Sequence, residues 1–232
     1  TVTLAALKEA LRKDTILVSI MMVNNEVGSI MPVKAAAKAL KRAGAPGYLH
    51  VDAVQGFGKI PVGPKALGAD LISVSSHKVH GPKGVGALFV KKGTRLVSPV
   101  LGGGQEGGMR SGTENVPAIA GLAKAIEMIY ASMDEDVEKM YQLKGYFISQ
   151  VTKIEGIKIN GKIGTDSAPH VISVSVRGIR SEVMLHSLED KGVYVSAGSA
   201  CASNKPAVSS TLKAIGVEKQ YLDSTLRFSF SV

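Results

Sequence analysis

The sequence predicts an α/β fold, with a largely parallel sheet followed by a smaller α+β domain. Two observations carry this reading. Short apolar runs rich in β-branched residues alternate with helical patterns through the first third of the chain, and helices between such strands make βαβ units. Beyond a long helical stretch that starts at Pro117, short strands and helices follow one another in a different rhythm. The expected domains are residues 1–116 and 117–232, with the long helix bridging them.

The elements follow in order. Leu4, Leu7 and Leu11 share one face of a helix over Leu4–Arg12, and Ile16–Val23 reads as a buried strand. Val33–Ala43 is helical, with Gly44 placed to stop it. Tyr48–Val51, Leu71–Val74 and Val85–Val90 read as strands, and Gly102–Gly108 as a loop. The bridging helix runs from Pro117 to about Val151. After it come strands at Ile157–Ile159, Val171–Val176, Val193–Val195 and Leu226–Phe230, with helices at Ser181–Lys191 and Ala207–Ile215.

Composition narrows the function. The 232 residues are 45% hydrophobic and 20% charged, as in a globular protein with a real core. No apolar run approaches the roughly 18 residues of a membrane helix, so no membrane partner is expected. Cys201 is the single cysteine. It excludes an intramolecular disulfide and favours a reducing compartment, with cytoplasmic localisation the expectation. The net charge of +9 comes from scattered Lys and Arg, with 5% aromatics and no Trp. It reads as a solvated basic surface, and no nucleic acid is expected. His80, His170 and His186 are not spaced as metal ligands, so no metal site is expected. Gly102-Gly103-Gly104 lacks the strand–loop–helix setting of a dinucleotide loop. The start, Thr1-Val2-Thr3-Leu4, is neither an initiator Met nor a signal peptide, and reads as a fragment or processed chain.

Chemistry concentrates at the expected strand ends. Ser75-Ser76-His77-Lys78 follows one strand and runs into Gly81-Pro82-Lys83-Gly84. There a neighbouring cation can depress a lysine's pKa and make its amine a nucleophile, although the run could also be a basic phosphate-binding turn. His50-Val51-Asp52-Ala53 ends another strand, with Gln55 in the turn behind it. His50 and Asp52 share a face, and a buried Asp there calls for a cationic partner such as a protonated pyridine nitrogen. His50 itself reads as structural.

Asn24-Asn25-Glu26-Val27-Gly28, Asp52-Ala53-Val54-Gln55 and Ser75-Ser76-His77-Lys78 occur in that order, each at an expected strand end. In combination they resemble the class V aminotransferase family of PLP enzymes, of fold type I, and within it the cysteine desulfurases. The resemblance runs from about Ile16 to Phe230. It implies that Lys78 holds pyridoxal 5'-phosphate as a Schiff base, Asp52 pairs with the ring nitrogen, Gln55 binds the phenolic oxygen, and Ser75 and His77 bind the phosphate. Asn25 matches the asparagine near the substrate carboxylate. Arg227, in Ser224-Thr225-Leu226-Arg227-Phe228-Ser229, matches the arginine that clamps that carboxylate as a fork. Gly108-Met109-Arg110-Ser111-Gly112-Thr113 matches a stretch whose Thr113 reaches the phosphate in the partner subunit, which implies a homodimer.

Cys201 lies in Ser196-Ala197-Gly198-Ser199-Ala200-Cys201-Ala202-Ser203, a stretch with little apolar bulk to bury a thiol. The desulfurases carry a Ser-Ser-Gly-Ser-Ala-Cys-type loop, and Ala197 departs from it mildly. By the resemblance, Cys201 takes the sulfur of L-cysteine as a persulfide, L-alanine leaves, and a sulfur-acceptor protein for iron–sulfur cluster assembly or tRNA thiolation is served next. A selenocysteine lyase, another family enzyme, or a non-catalytic fragment or sulfur-transfer subunit are the alternatives. The family's N-terminal part supplies a Thr-containing phosphate turn and a ring-stacking histidine. Neither is found here, so the large domain is expected to be incomplete and N-terminally truncated.

Overall fold

The structure, a computed structural model, describes residues 1–197 and 209–231. They form two compact units, Val2–Met22 with Pro32–Ser132 and Val23–Met31 with Met133–Val232.

The N-terminal unit holds a four-stranded sheet of β1 (Leu17–Met21), β2 (Tyr48–Asp52), β3 (Leu71–Ser75) and β4 (Gly86–Val90), in that spatial order. β1, β2 and β3 are parallel, while β4 returns antiparallel along β3. Helix α1 (Leu4–Ala10) starts at Thr3, whose hydroxyl accepts the Ala6 N–H. Helix α2 (Val33–Arg42) connects β1 to β2 and buries Val33, Ala36, Ala39 and Leu40, a stripe at helical spacing. The short α3 (Pro64–Leu67) lies between β2 and β3.

One face of the sheet is polar, where Ser19, His50 and Ser73 hydrogen-bond across three strands. The expected buried strand over Ile16–Val23 starts in the open, with Ile16 76% and Leu17 51% exposed. Its buried residues in this unit are Ile20 and Met22, Ile20 in register with the buried Val51 of β2, so burial deepens toward the strand's C-terminal end.

Helix α4 (Val116–Val151) has 36 residues, and the boundary between the units falls inside it. In the N-terminal unit it turns one stripe inward. Ala118 and Leu122 are buried, Gly121 approaches Pro82, and Ile129 approaches Gly58. By length and composition α4 is apolar enough to cross a membrane, with mean hydropathy 1.3 over 18 residues. This corrects the expectation that no segment approaches that length. Lys124 and Glu127, an exposed ion pair at 2.9 Å, interrupt the apolar run without lowering its average below such a span. Within the N-terminal unit its contacts run along the stripe of Ala118, Leu122 and Ile129.

The C-terminal unit is built on an antiparallel sheet, β5 (Ile157–Asn160), β6 (Val171–Val176) and β7 (Thr225–Ser229), with β6 central. Helices α5 (Ser181–Glu189) and α6 (Ser210–Ala214) accompany it. Phe147 of α4 packs on Phe228 and Phe230, with ring centroids 4.8 and 5.7 Å away. The turn at 23–31 belongs to this unit, since Ser29 bridges Ser167 and the Ala168 N–H donates to the Gly28 carbonyl. Lys144, only 3% exposed, donates to Ser167 Oγ, the Ala168 carbonyl and the Val171 carbonyl at 2.7–2.8 Å.

The expected strand at Val193–Val195 does not form. The chain leaves α5 through a turn closed at Gly192, Tyr194 stands 79% exposed, and only Ser196 reaches β7. The expected helix Ala207–Ile215 begins at Ser210, with 207 and 208 outside the described residues.

Candidate active site

In the N-terminal unit the candidate residues gather at the C-terminal ends of β2 and β3, where ligands of parallel sheets collect. Register pairs Asp52 with Ser73, and Ser75 closes β3 two residues later on the same face. A 3-10 turn, Ser76–Lys78, then lifts Lys78 from the strand end. The Ser76 carbonyl accepts the N–H groups of Val79 and Gly81, and its own N–H donates to the Val85 carbonyl. Gly81 leaves room here, because a Cβ at that position would lie 2.2 Å from Ser76 Oγ and force that side chain to turn. The turn is therefore fixed by backbone on both sides, and Lys78 sits half-buried at its end.

Around it stand groups of complementary chemistry. Ser75 Oγ and His77 Nδ1 are 2.8 Å apart at an exposed rim. Asp52 uses one carboxylate oxygen to accept the Val54 N–H at 3.0 Å, which sets the turn carrying the half-buried Gln55. Lys59, on that same turn, donates from Nζ to the Lys78 carbonyl at 2.7 Å. Burial, and secondarily the Lys78 charge, push the Lys59 pKa down to about 8. Lys59 thus braces the backbone of the Lys78 turn, a contact that the sequence reading missed. Its signal was a lysine four residues after Gln55, in a Gly-Phe-Gly-Lys turn. His50 hydrogen-bonds Ser19 and Ser73, inside the sheet rather than at its rim.

Thr113 is exposed at the end of the 102–113 loop. That loop folds on itself, with Ser111 Oγ donating to the Gly103 carbonyl and Gln105 Oε1 accepting the Gly112 N–H.

The C-terminal unit holds the other pair. Arg227, on β7, donates from Nη1 to the Asn25 carbonyl at 3.0 Å, so these residues, 202 positions apart, meet. Asn24 Oδ1 accepts the N–H groups of Glu26 and Val27, and so shapes the turn that presents Asn25. The role expected of Cys201 falls outside the described residues.

The donor set at the strand ends fits pyridoxal phosphate. A primary amine can condense with its aldehyde, a carboxylate can face its ring nitrogen, and a hydroxyl–imidazole pair can meet its phosphate. These are the parts of a Schiff-base cofactor site. The chain belongs to the class-V aminotransferase family, whose model matches residues 1–232. It is 44% identical over 227 residues to the cysteine desulfurase IscS of Dictyoglomus turgidum, covering 97% of this chain and 57% of that protein. Among solved structures, a NifS-like protein superposes with a TM-score of 0.90 at 37% identity, covering 99% of this chain and 60% of that one. A structure of SspA in complex with cysteine superposes with a TM-score of 0.80 at 28% identity, covering 99% and 63%. The chain thus spans a little over half the length of the curated relatives it matches.

Proposed function

We propose that the protein carrying this chain is a pyridoxal-phosphate-dependent cysteine desulfurase, converting L-cysteine to L-alanine and passing the sulfur on through Cys201. One observation carries the reading: Lys78 on its backbone-fixed turn, with Asp52, Ser75 and His77 at neighbouring strand ends. Relatives named cysteine desulfurase support it.

Pyridoxal phosphate supplies an electron sink for charge developing at the substrate Cα. The residues do the rest. Lys78 would hold the cofactor through its Nζ, and its free amine would take the Cα proton. The Asp52 carboxylate would pair with the ring nitrogen and keep its proton in place. Gln55 would bind the phenolic oxygen, and Ser75 and His77 the phosphate. Arg227 and Asn25 would orient the substrate carboxylate. The Cys201 thiolate would attack the substrate sulfur; the Cβ–S bond would break with its electron pair going to Cβ, which takes up a proton, leaving a persulfide on Cys201 and alanine as product. The same reading carries a homodimer with Thr113 reaching the partner's phosphate, an acceptor protein in iron–sulfur assembly or tRNA thiolation, and a reducing cytoplasmic setting.

The test uses the protein that carries residues 1–232 with whatever sequence flanks them in the cell. With pyridoxal phosphate, L-cysteine and a reductant it should release alanine and sulfide in equal amounts. Lys78→Ala should lose the visible absorbance of the lysine-bound cofactor. Cys201→Ala should keep that absorbance and lose sulfur release. An unchanged spectrum in Lys78→Ala sinks the assignment.

A further inference from the structure

Lys59 stands half-buried beside the candidate site, yet the reaction above gives it no task. The turn that carries it hangs from the end of β2. Asp52 accepts the Val54 N–H, the Ala53 carbonyl accepts those of Gly56 and Phe57, and the Gly56 carbonyl those of Lys59 and Ile60. The Ala53 N–H donates to the Ser73 carbonyl, which holds the start of this turn to β3. One continuous turn thus bears Asp52, Gln55 and Lys59, the first two expected around the cofactor ring.

The Lys78 turn is fixed at its start, where the Ser76 carbonyl accepts the Val79 and Gly81 N–H groups and the Ser76 N–H donates to Val85. Its end has a different anchor. Lys78 closes the 3-10 turn, so its carbonyl finds no donor within that turn. Lys59 supplies the donor, from Nζ at 2.7 Å. The residue before Lys59 brings the two turns together a second time. Gly58 takes φ 71°, and a Cβ there would stand 3.3 Å from Cγ1 of the buried Val79. Gly58 on Val79 sets how closely the turns approach, and Lys59 on Lys78 joins their backbones.

We infer that Lys59 is a positioning residue for proton transfer at the substrate Cα, locking the Lys78 turn to the turn that bears Asp52 and Gln55. The inference rests on the part of the proposed function that makes Lys78 the cofactor lysine. Lys59 acts through the backbone of Lys78, since its own Nζ is committed to a carbonyl. Asp52 and Gln55 would hold the ring, while the Lys78 amine would meet the Cα proton of the substrate. Those tasks lie on different turns, and a misplacement of about 1 Å between them can cost on the order of a hundredfold in rate.

The experiment uses the protein that carries this chain, and compares wild type with Lys59→Met, which has no donor, and Lys59→Arg, which keeps one. In the cofactor-free proteins, amide hydrogen exchange at Val79 and Gly81 should quicken about tenfold in Lys59→Met, the worth of one such hydrogen bond, while the amides of β2 and β3 keep their rates. With cofactor bound, exchange of the L-alanine Cα proton with solvent deuterium isolates the proton step from sulfur transfer. It should fall about tenfold or more in Lys59→Met. The isotope effect of Cα-deuterated L-cysteine on kcat/KM should rise, because proton transfer becomes slow relative to the other steps. Lys59→Arg should recover most of each loss. Unchanged alanine exchange in Lys59→Met, an isotope effect that stays at the wild-type value, or a Lys59→Arg as impaired as Lys59→Met overturns the inference. So does faster amide exchange spread through β2 and β3, the mark of a merely structural lysine. A wild-type protein that exchanges the alanine proton and yields no alanine from L-cysteine sinks the desulfurase reading and leaves this inference standing. Exchange that survives Lys78→Ala sinks Lys78 as the cofactor lysine, and this inference with it.

Discussion

At Gly28 the backbone takes φ 69°, and a Cβ would meet the Val171 carbonyl at 2.8 Å and Ser167 Oγ at 3.1 Å. The residue closes the turn that presents Asn25, and its carbonyl accepts the Ala168 N–H. Gly28→Ala therefore combines a left-handed backbone penalty of about 1 kcal/mol with a contact that the backbone of β6 must relieve. The expected loss is about 2–3 kcal/mol of unfolding free energy, read from urea melts. A loss below about 1 kcal/mol means the turn relaxes without cost. At this scale the sequence was informative about position: Asp52, Ser75, His77 and Lys78 lie at strand ends, as the strand reading puts them. Lys59 escaped it because a lysine in a turn is ordinary surface until a fold supplies the Lys78 carbonyl.

Elements show where pattern reading holds and where packing overrides it. Helix α2 follows its apolar spacing, and β2 and β3 form over their expected runs, each one residue longer at a polar C-terminal end, Asp52 and Ser75. Val193–Val195 has the composition of a strand, but among the described residues it pairs with none, and β7, paired with β6, meets this stretch at the single bridge of Ser196. No local pattern carries that information. Helix α4 offers a direct contest between propensity and packing at Gly121. Glycine to alanine in an exposed helix interior stabilises by about 1 kcal/mol. Here the new Cβ would sit 2.7 Å from Pro82 Cγ, on the ring that follows the Lys78 turn. Overpacking costs about 1–3 kcal/mol, so Gly121→Ala should destabilise, by about 1 kcal/mol net. A thermal melt that rises instead would show α4 free to shift off Pro82.

For the molecule as a whole, the buried Lys144 and the half-buried Lys59, neither paired with a carboxylate among the described residues, give stability an unusual dependence on pH. Burial holds both Lys144 and Lys59 at about 8, well below the ordinary lysine value, and Lys59 also feels the Lys78 charge. In each case the folded state releases its proton more readily than the unfolded chain. Between about pH 8 and 10 the unfolded chain then binds more protons, and raising the pH favours the fold. Below about 8 both states are protonated and the full cost of burying the charge remains. Lys144 alone contributes up to about 3 kcal/mol across this window, at 1.36 kcal/mol per unit. Above about pH 10 the trend reverses. Tyr130 and Tyr141 hold their protons longer in the fold because burial raises them, and the Asp70 pair raises Lys91 in the same sense. Urea melts from pH 7 to 10 should show unfolding free energy rising, where most proteins are flat or falling. In Lys144→Met the slope should drop, and stability at pH 7 should fall by about 2 kcal/mol as the Ala168 and Val171 carbonyls lose their donor. A flat wild-type profile would mean that the Lys144 amine stays charged in the fold, sustained by its three acceptors alone.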